Sequence, residues 1–186
     1  MVGSEPKITS VTGVVLAGGR STRMGRDKAG LQLDGRMLVE RCEAVLAQCF
    51  AQTRVVKDDE VPGLGPIGGL LTALGHIGTP ALFLVGCDMP FLNPALIRAM
   101  ATGFEPYDAV AIRVAGRFEP LHALYRQRIA PVVEEQIAGS DYSLQKLLSR
   151  LTIKTLSDAE LSRYPDWQRA LLNVNTPEEW EKIRHG

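Results

Sequence analysis

The sequence has only three cysteines, no net charge and no long apolar run. The cysteines are odd in number and show no C-x-x-C spacing, which argues against a disulfide framework and a zinc site. Lysine plus arginine and aspartate plus glutamate both number 21, so no global electrostatic field favours nucleic acid or an anionic membrane. We therefore expect a protein that binds neither nucleic acid nor membrane and works in a reducing cytoplasm.

No segment has the length and apolar character of a membrane span or a signal peptide. The longest apolar stretches, such as Ala81 to Val85, are far shorter than a bilayer requires, and residues 1–10 lack the apolar centre of a secretion signal. A chain of 186 residues that is 45% hydrophobic can bury one sizeable core. We expect a flexible N-terminal tail over residues 1–10, a single domain over residues 11–186, and a monomer.

Apolar runs of strand length alternate with segments of helical periodicity. The unbroken apolar character of the first run indicates a parallel sheet that is buried on both faces. This alternation predicts an α/β domain of three layers. The predicted strands cover residues 11–16, 53–57, 81–85, 109–114, 121–125 and 152–156, and the predicted helices cover residues 37–50, 67–77, 94–101, 129–138, 143–150 and 176–184.

The stretch from Val14 to Gly30, VVLAGGRSTRMGRDKAG, joins the end of the first strand to two glycines and a cluster of cations. Gly18 and Gly19 allow main-chain N–H groups to approach an anion with no Cβ in the way. Four cations follow within nine residues, with Asp27 as the only acid: Arg20, Arg23, Arg26 and Lys28. The spacing is not that of a Walker loop. It predicts a loop around a polyphosphate, and the alternative is a strand-to-helix turn with a solvated basic loop.

Two further stretches follow strands of the predicted sheet. Ligands of an open α/β sheet bind outside the carboxyl ends of its strands, so the Lys57-Asp58 corner and the Gly86 to Pro90 turn are expected to share a crevice with the basic loop. Asp88 leaves a buried strand, and magnesium is usually held by one or two carboxylates together with phosphate oxygens and water. Asp88 is therefore the predicted magnesium ligand, and the alternative is an aspartate that caps the next turn.

The segment from Gly63 to Gly68 matches the dinucleotide fingerprint G-x-G-x-x-G, and Asp88 lies about twenty residues beyond it. An NAD-binding enzyme is therefore a rival interpretation. Residues 58–62 separate this segment from the preceding strand, although the fingerprint should follow a strand directly. The rival also leaves the N-terminal basic loop without a function.

Asn173 and Asn175 stand one residue apart, and on an extended segment such side chains point to the same side. They could donate to a phosphate or offer an oxygen to a metal ion, and the alternative is a turn capped by Asn175 and Thr176. His122 lies within an apolar strand, where a lone histidine is more often structural than functional.

Five stretches resemble the molybdenum cofactor guanylyltransferases of the nucleotidyltransferase superfamily. Residues 16–28, LAGGRSTRMGRDK, are similar to L-A-G-G-x-S-x-R-M-G-x-x-K, and residues 173–179 are similar to N-V-N-T-P-E-[ED]. The other three are D-x-P at residues 88–90, G-P-x-x-G at residues 65–69 and P-x-H-A-L at residues 120–124. Relatives that transfer cytidylyl groups tend to carry an acidic pair where the two asparagines stand.

The resemblance implies a three-layer, Rossmann-like nucleotidyltransferase domain with a mostly parallel central sheet. The implied reaction moves GMP from Mg-GTP to the phosphate of molybdopterin and releases pyrophosphate. The expected partners are GTP, molybdopterin or the molybdenum cofactor, and, among proteins, other cofactor-biosynthesis proteins or the molybdoenzyme that receives the product.

The resemblance also assigns roles residue by residue. The implied catalytic residues are Arg23, Lys28 and Asp88, and the implied Mg²⁺ ligands are Asp88 and Asn175. The implied nucleotide-binding residues are Leu16, Ala17, Gly18, Gly19, Arg20, Lys28, Asp58, Gly65, Pro66 and Asp88. Arg113, His122 and Asn173 are the candidates for binding the acceptor.

The chain departs from the family pattern between Phe50 and Asp58. The family has a strand, a surface helix and a further strand there, whereas this chain has only AQTRVVK, about fifteen residues fewer by the length that such a connection needs. The nucleotide contact that family members place there cannot be mapped onto this chain, and the expected selectivity for guanine is the expectation that this departure weakens most. A cytidylyl- or sugar-phosphate nucleotidyltransferase, an NAD-binding enzyme and a nucleotide sensor without catalysis therefore remain as alternatives.

Overall fold

The computed structural model describes residues 5–17, 32–33, 35–57, 63–174, 178–179 and 181–182. Strands and helices alternate along these ranges, as the sequence predicted. The strands are β1 (Ile8–Leu16), β2 (Gln32–Leu33), β3 (Arg36–Met37), β4 (Phe50–Val56), β5 (Ala81–Gly86), β6 (Ala109–Val114), β7 (Arg117–Arg126) and β8 (Ile153–Thr155). The helices are α1 (Leu38–Cys49), α2 (Pro66–His76), α3 (Pro94–Met100), α4 (Ala130–Ala138), α5 (Leu144–Arg150) and α6 (Asp158–Leu161).

Six strands form the central sheet in the order β4-β1-β5-β7-β6-β8. Neighbouring strands are parallel except where β7 pairs with β5 and β6, because among these six strands β7 runs in the opposite direction. β2 and β3 form a separate antiparallel pair. The mostly parallel α/β sheet predicted from the sequence is confirmed.

Alternate residues of the strands supply two separate cores, one on each face of the sheet. Val15, Phe83 and Val85 pack with residues of α1 and α3, and we name this side the α1 face. Leu16 and Leu84 pack with residues of α2, α4 and α5 on the other side, the α2 face. Both faces of the central strands are thus covered by helices, and the predicted three-layer architecture is confirmed.

The first strand begins earlier than the sequence predicted. β1 starts at Ile8, so residues 8–10, which were expected in the tail, belong to the sheet. Arg98 of α3 holds the residues before them, donating to the carbonyl oxygen of Pro6 at 2.9 Å and pairing with the carboxylate of Glu5 at 3.2 Å. These contacts depend on the distant helix α3, which local periodicity does not reveal.

α1 passes directly into β4 without an intervening loop. Phe50 is both the C-cap of α1 and the first residue of β4, so the predicted helix end at residue 50 is one residue too long. β4 then runs parallel to β1 at the edge of the described sheet. In the described part of the chain, one continuous strand occupies the region where the family pattern has two strands and a helix.

Two more differences have local causes. β7 extends from Arg117 to Arg126, beyond the predicted residues 121–125, because its pairing with β6 continues to the hairpin. α6 was not predicted, although Ser157 and Glu160 form a capping box at its start.

The predicted final helix at residues 176–184 lies only partly within the described residues, where positions 178–179 and 181–182 are helical. None of the described helices has the length and apolar character needed to cross a membrane.

Candidate active site

The carboxyl ends of β4, β1 and β5 lie at one level and are joined by backbone hydrogen bonds. Leu16 stands in register with Val56 on one side and Gly86 on the other. Beyond the strands, the N–H of Ala17 donates to the carbonyl oxygen of Val56 at 2.8 Å, and the N–H of Cys87 donates to that of Leu16 at 3.0 Å. The predicted nucleotide contacts Leu16 and Ala17 and the turn that carries Asp88 therefore share one edge of the sheet.

The segment that carries the asparagine motif meets the same turn. The N–H of Val174 donates to the carbonyl oxygen of Asp88 at 2.9 Å, and the Val174 side chain is fully buried. This bond places Asn173 beside the turn. No residue in the described ranges hydrogen-bonds to the buried Oδ1 atom of Asn173, so this oxygen is a candidate acceptor for a ligand.

The Asp88 carboxylate lies close to the backbone of β5, over Gly86. A Cβ atom on Gly86 would lie 2.6 Å from Oδ1 of Asp88 and 3.6 Å from Cδ1 of Leu121. Gly86 lies two residues after Leu84 along β5. Residues two apart on a strand lie on the same side of the sheet, so Gly86 belongs to the α2 face. A side chain at this position would displace the carboxylate, so the glycine leaves the space that the half-buried Asp88 carboxylate occupies.

α2 begins with Gly65 and Pro66, two of the predicted nucleotide contacts. Gly65 has φ 66° and ψ −149°, a conformation that favours glycine, and Pro66 takes the first helical turn, where its missing N–H costs no hydrogen bond. The carbonyl of Gly65 accepts from the N–H groups of Gly68 and Gly69 at 3.0 and 3.3 Å. This helix start does not follow β4 directly, because residues 57–62 separate Val56 from Gly63. The context that a dinucleotide fingerprint requires is therefore missing.

α1 contributes a residue that sequence reasoning placed only in the core. All three cysteines lie within the described ranges and are buried thiols that form no disulfide there. The Sγ atom of Cys42 donates to the carbonyl oxygen of Met89 at 3.3 Å and lies 3.7 Å and 3.9 Å from those of Gly86 and Cys87. Burial raises the pKa of the Cys42 thiol to about 12, so it stays protonated and remains a donor at neutral pH. Helical spacing predicts its burial, but no sequence signal shows which backbone it contacts.

The acceptor candidates are placed very differently. Arg113 is exposed at the β6–β7 hairpin, where its guanidinium lies 4.6 Å from the centroid of the Phe118 ring. His122 is fully buried opposite Val85, with its ring edge-to-face against Phe83 at 5.2 Å between centroids. Neither ring nitrogen of His122 is hydrogen-bonded to another described residue, and burial lowers the pKa of His122 to about 4. This environment favours the structural alternative for His122 over direct contact with an acceptor.

Several predicted site residues lie outside the described residues and remain predictions. They are Gly18, Gly19, Arg20, Arg23, Lys28, Asp58 and Asn175. Within the described ranges, no group of three or more histidine, cysteine, aspartate or glutamate side chains could hold a metal ion. Among the described residues, the candidate metal-binding oxygen atoms near the strand ends are those of Asp88 and Asn173. Hard oxygen donors in this small number fit magnesium, which usually retains water and phosphate oxygens as its other ligands.

Comparison with known proteins assigns this chain to a family. Residues 13–155 match the family described as MobA-like NTP transferase domain. The probable molybdenum cofactor guanylyltransferase of Carboxydothermus hydrogenoformans is 30% identical over 187 residues, which cover 94% of this chain and 95% of that protein. The molybdenum cofactor guanylyltransferase of Syntrophotalea carbinolica is 32% identical over 188 residues, with 92% and 89% covered.

A solved structure shows the same fold. The crystal structure of molybdopterin-guanine dinucleotide biosynthesis protein A from Archaeoglobus fulgidus superposes with a TM-score of 0.76 at 24% identity, covering 94% of this chain and 97% of that one. The solved structure confirms the fold, and the family match and the two relatives confirm the resemblance inferred from the signature residues. The strand-end geometry, the family match and the shared fold lead to one conclusion: this chain is a member of the MobA-like NTP transferase domain family.

Proposed function

We propose that this protein is a molybdenum cofactor guanylyltransferase, which transfers GMP from Mg-GTP to the phosphate of molybdopterin. The products are the guanine dinucleotide form of the cofactor and pyrophosphate. The relatives named above support this assignment. The observation that carries it is the Asp88 turn, which is bonded through Cys87 to the end of β1 and through its own carbonyl to the asparagine segment.

The reaction needs one bond to form and one to break at the α-phosphorus of GTP. An oxygen of the acceptor phosphate forms a bond to the α-phosphorus, and the bond from that phosphorus to the bridging oxygen breaks. The bridging oxygen keeps the electron pair and leaves with pyrophosphate. Because no covalent enzyme intermediate is required, positioning and charge neutralisation supply most of the rate.

The residues at the strand ends divide this work. The main chain of Leu16, Ala17, Gly18 and Gly19 receives the nucleotide, and the cations of the following loop hold the departing pyrophosphate. Those cations are Arg20, Arg23 and Lys28. Asp58, Gly65 and Pro66 lie on the nucleotide side in this proposal, while Arg113 and Asn173 lie on the acceptor side.

Asp88 and Asn175 would hold the magnesium ion in this proposal. The bound ion neutralises charge on the phosphates and acts as a Lewis acid. The backbone bonds from Cys87 to Leu16 and from Val174 to Asp88 hold the backbone of the Asp88 turn against the end of β1 and the segment that contains Asn173. Such preorganisation avoids the cost of reorienting ligands during the reaction.

Calorimetric titration with GTP, CTP, ATP and NAD, each with and without Mg²⁺, tests the proposal. We expect a magnesium-dependent preference for GTP of about 100-fold, which equals about 2.7 kcal/mol. An Asp88→Asn variant serves as the control for the metal, and it should lose the dependence on magnesium. Preference for CTP would indicate a cytidylyltransferase, whereas NAD binding without magnesium would indicate the rival dinucleotide site.

Release of pyrophosphate separates the enzyme from a nucleotide sensor of the same fold. Protein incubated with Mg-GTP and molybdopterin should release one pyrophosphate for each guanine dinucleotide formed. Binding of GTP without such release would contradict the proposed reaction. We also propose that the protein is a cytoplasmic monomer and that its protein partners are other cofactor-biosynthesis proteins or the molybdoenzyme that receives the product.

A further inference from the structure

Cys42 lies on the opposite side of the Asp88 turn from the Asp88 carboxylate. Its Sγ atom contacts the carbonyl oxygens of three of the four residues from Gly86 to Met89, and the contact to Met89 is the shortest at 3.3 Å. Cys42 packs in the core of the α1 face, and the carboxylate of Asp88 lies over Gly86 on the α2 face. The backbone of the turn therefore contacts the Cys42 thiol on the α1 face, while the Asp88 carboxylate lies over Gly86 on the α2 face.

We propose that Cys42 is a positioning residue for the Asp88 site, because its thiol holds the backbone of the turn that presents the carboxylate. This inference rests on the proposed metal-binding role of Asp88. Two backbone bonds among the described residues also hold the turn, through the N–H of Cys87 and the carbonyl of Asp88. Both bonds lie at or before Asp88, whereas the thiol contacts the turn after it, at Met89.

Cys49 provides an internal comparison for this role. It lies on the same helix two turns later, its side chain is likewise buried, and its Sγ atom donates to a carbonyl oxygen at 3.6 Å. That carbonyl belongs to Pro94, the first residue of α3, rather than to the Asp88 turn. A thiol that only fills the core should behave alike at both positions, whereas a positioning thiol should affect metal binding only at Cys42.

The chemistry of the thiol suits this task. Burial raises the pKa of Cys42 to about 12, so the sulfur carries its proton and does not place a negative charge beside the metal ligand. Valine at this position would remain apolar and buried but could not donate. Serine would restore a donor of nearly the same reach.

The test measures Mn²⁺ affinity by electron paramagnetic resonance with GTP present, together with thermal unfolding, for Cys42→Val, Cys42→Ser, Cys49→Val and Cys49→Ser. We expect Cys42→Val to weaken Mn²⁺ binding about tenfold, at the low end of the effects seen for groups that orient metal ligands. Cys42→Ser should recover most of that affinity. Both Cys49 variants should bind Mn²⁺ as the unmodified protein does, even where they lower the melting temperature.

Steady-state kinetics adds a second readout. Cys42→Val should raise the Mg²⁺ concentration needed for half-maximal pyrophosphate release, and saturating Mg²⁺ should restore much of the turnover. If Cys42→Val folds poorly, Cys42→Ala compared with Cys42→Ser at the same temperature gives the same contrast between a missing and a retained donor.

Two outcomes separate this inference from the proposed function. Unchanged Mn²⁺ affinity in folded Cys42→Val and Cys42→Ala, together with a loss of affinity in Asp88→Asn, would overturn the positioning role and leave the metal site intact. Unchanged affinity in Asp88→Asn would instead remove Asp88 from the metal site, and the positioning role would then fail with it. Equal losses of affinity in the Cys42 and Cys49 valine variants would also overturn the inference, because they would indicate a general effect of the core.

Discussion

Two aspartates lie at opposite ends of the strands of the central sheet. Asp108 precedes β6 at its amino end, where its carboxylate accepts from Nε of Arg128 at 2.8 Å and from the N–H and Oγ1 of Thr152 at 3.0 and 2.5 Å. Asp88 follows β5 at its carboxyl end, and its carboxylate lies over Gly86 among the backbone bonds that join three strand ends. The Asp108 carboxylate accepts hydrogen bonds that join two loops. The Asp88 carboxylate lies at the carboxyl ends of the strands, where ligands of open α/β sheets bind.

The comparison shows that the end of the strand at which each carboxylate lies distinguishes their roles. Asp108 lies at an amino end and has a structural role, whereas Asp88 lies at a carboxyl end and belongs to the candidate site. Burial raises the pKa of Asp108, but the hydrogen bonds from Thr152 and the ion pair with Arg128 outweigh it and hold that pKa below its ordinary value. This stabilisation is present above the unfolded-state pKa and is lost as the pH falls through the lower folded-state pKa. Asp108 therefore contributes to folding at the amino edge.

Removal of the Asp88 charge should have the largest effect. We expect Asp88→Asn to lower turnover by about 10² to 10³, the scale on which a preorganised charge contributes to catalysis. Asp108→Asn should instead keep its turnover and lose about 1 kcal/mol of free energy of unfolding, since a hydrogen-bonded charge is replaced by a neutral amide. Pyrophosphate release and denaturant unfolding of both variants measure the contrast, and a folded Asp88→Asn with normal turnover would contradict it.

Most of the Asp88 edge could be predicted from the sequence. The apolar run of β5 and the D-x-P motif were sufficient to place Asp88 at a strand end, and the end of the first apolar run placed Leu16 and Ala17 at the same edge. Local pattern determines such positions because strand ends and turn residues are encoded by neighbouring residues. The contacts of Cys42 could not be assigned in this way, because they arise only when α1 packs against the turn that follows β5.

The start of β7 could not be predicted for a related reason. The predicted strand began after Pro120, at residue 121, yet β7 begins at Arg117. The pairing of β7 with β6 is irregular between Ala111 and Arg113, opposite the segment that contains Pro120. A proline is tolerated at such an irregularity because its missing N–H is not needed by the ladder. Only the pairing with β6 could have revealed this.

His122 adds a pH-dependent test near the Asp88 edge. Burial lowers its folded-state pKa to about 4, whereas the unfolded chain takes up the proton near pH 6.5. Between these values the unfolded state binds more protons, so the free energy of unfolding should fall as the pH is lowered, by up to about 3 kcal/mol. Denaturant unfolding from pH 7.5 to pH 4 should show a shallower decline for His122→Leu than for the unmodified protein.

The same variant tests the acceptor assignment. His122→Leu removes two buried nitrogens that have no hydrogen-bond partner in the part of the chain that the structure describes, so its stability at pH 7.5 should match or exceed that of the unmodified protein. We expect the KM for molybdopterin to change little, because the ring lies within the core. A large rise in that KM with unchanged stability would return His122 to the acceptor site.

Gly13 and Gly86 allow the smallest substitutions that test the contrast between structural and candidate site positions. A Cβ on Gly13 of β1 would lie 2.8 Å from Cδ2 of Phe50 and 3.0 Å from Cβ of Leu46, and neither atom can move without disturbing the core. Gly13→Ala should therefore lower the free energy of unfolding by about 1 to 3 kcal/mol and leave the properties of the site in the folded fraction unchanged. At Gly86 the atom in the way is Oδ1 of Asp88, the far end of a side chain that can rotate.

Gly86→Ala should consequently cost little stability, because the carboxylate can turn away from the new Cβ. The same rotation moves the predicted metal ligand, so turnover should fall about tenfold and the Mg²⁺ requirement should rise, as expected when an orienting contact of a ligand is lost. Denaturant unfolding and pyrophosphate release at several Mg²⁺ concentrations, measured side by side for Gly13→Ala and Gly86→Ala, decide the matter. If Gly86→Ala lost stability without any change in its Mg²⁺ requirement, the space above Gly86 would serve packing at this edge, just as the space at Gly13 does in the core.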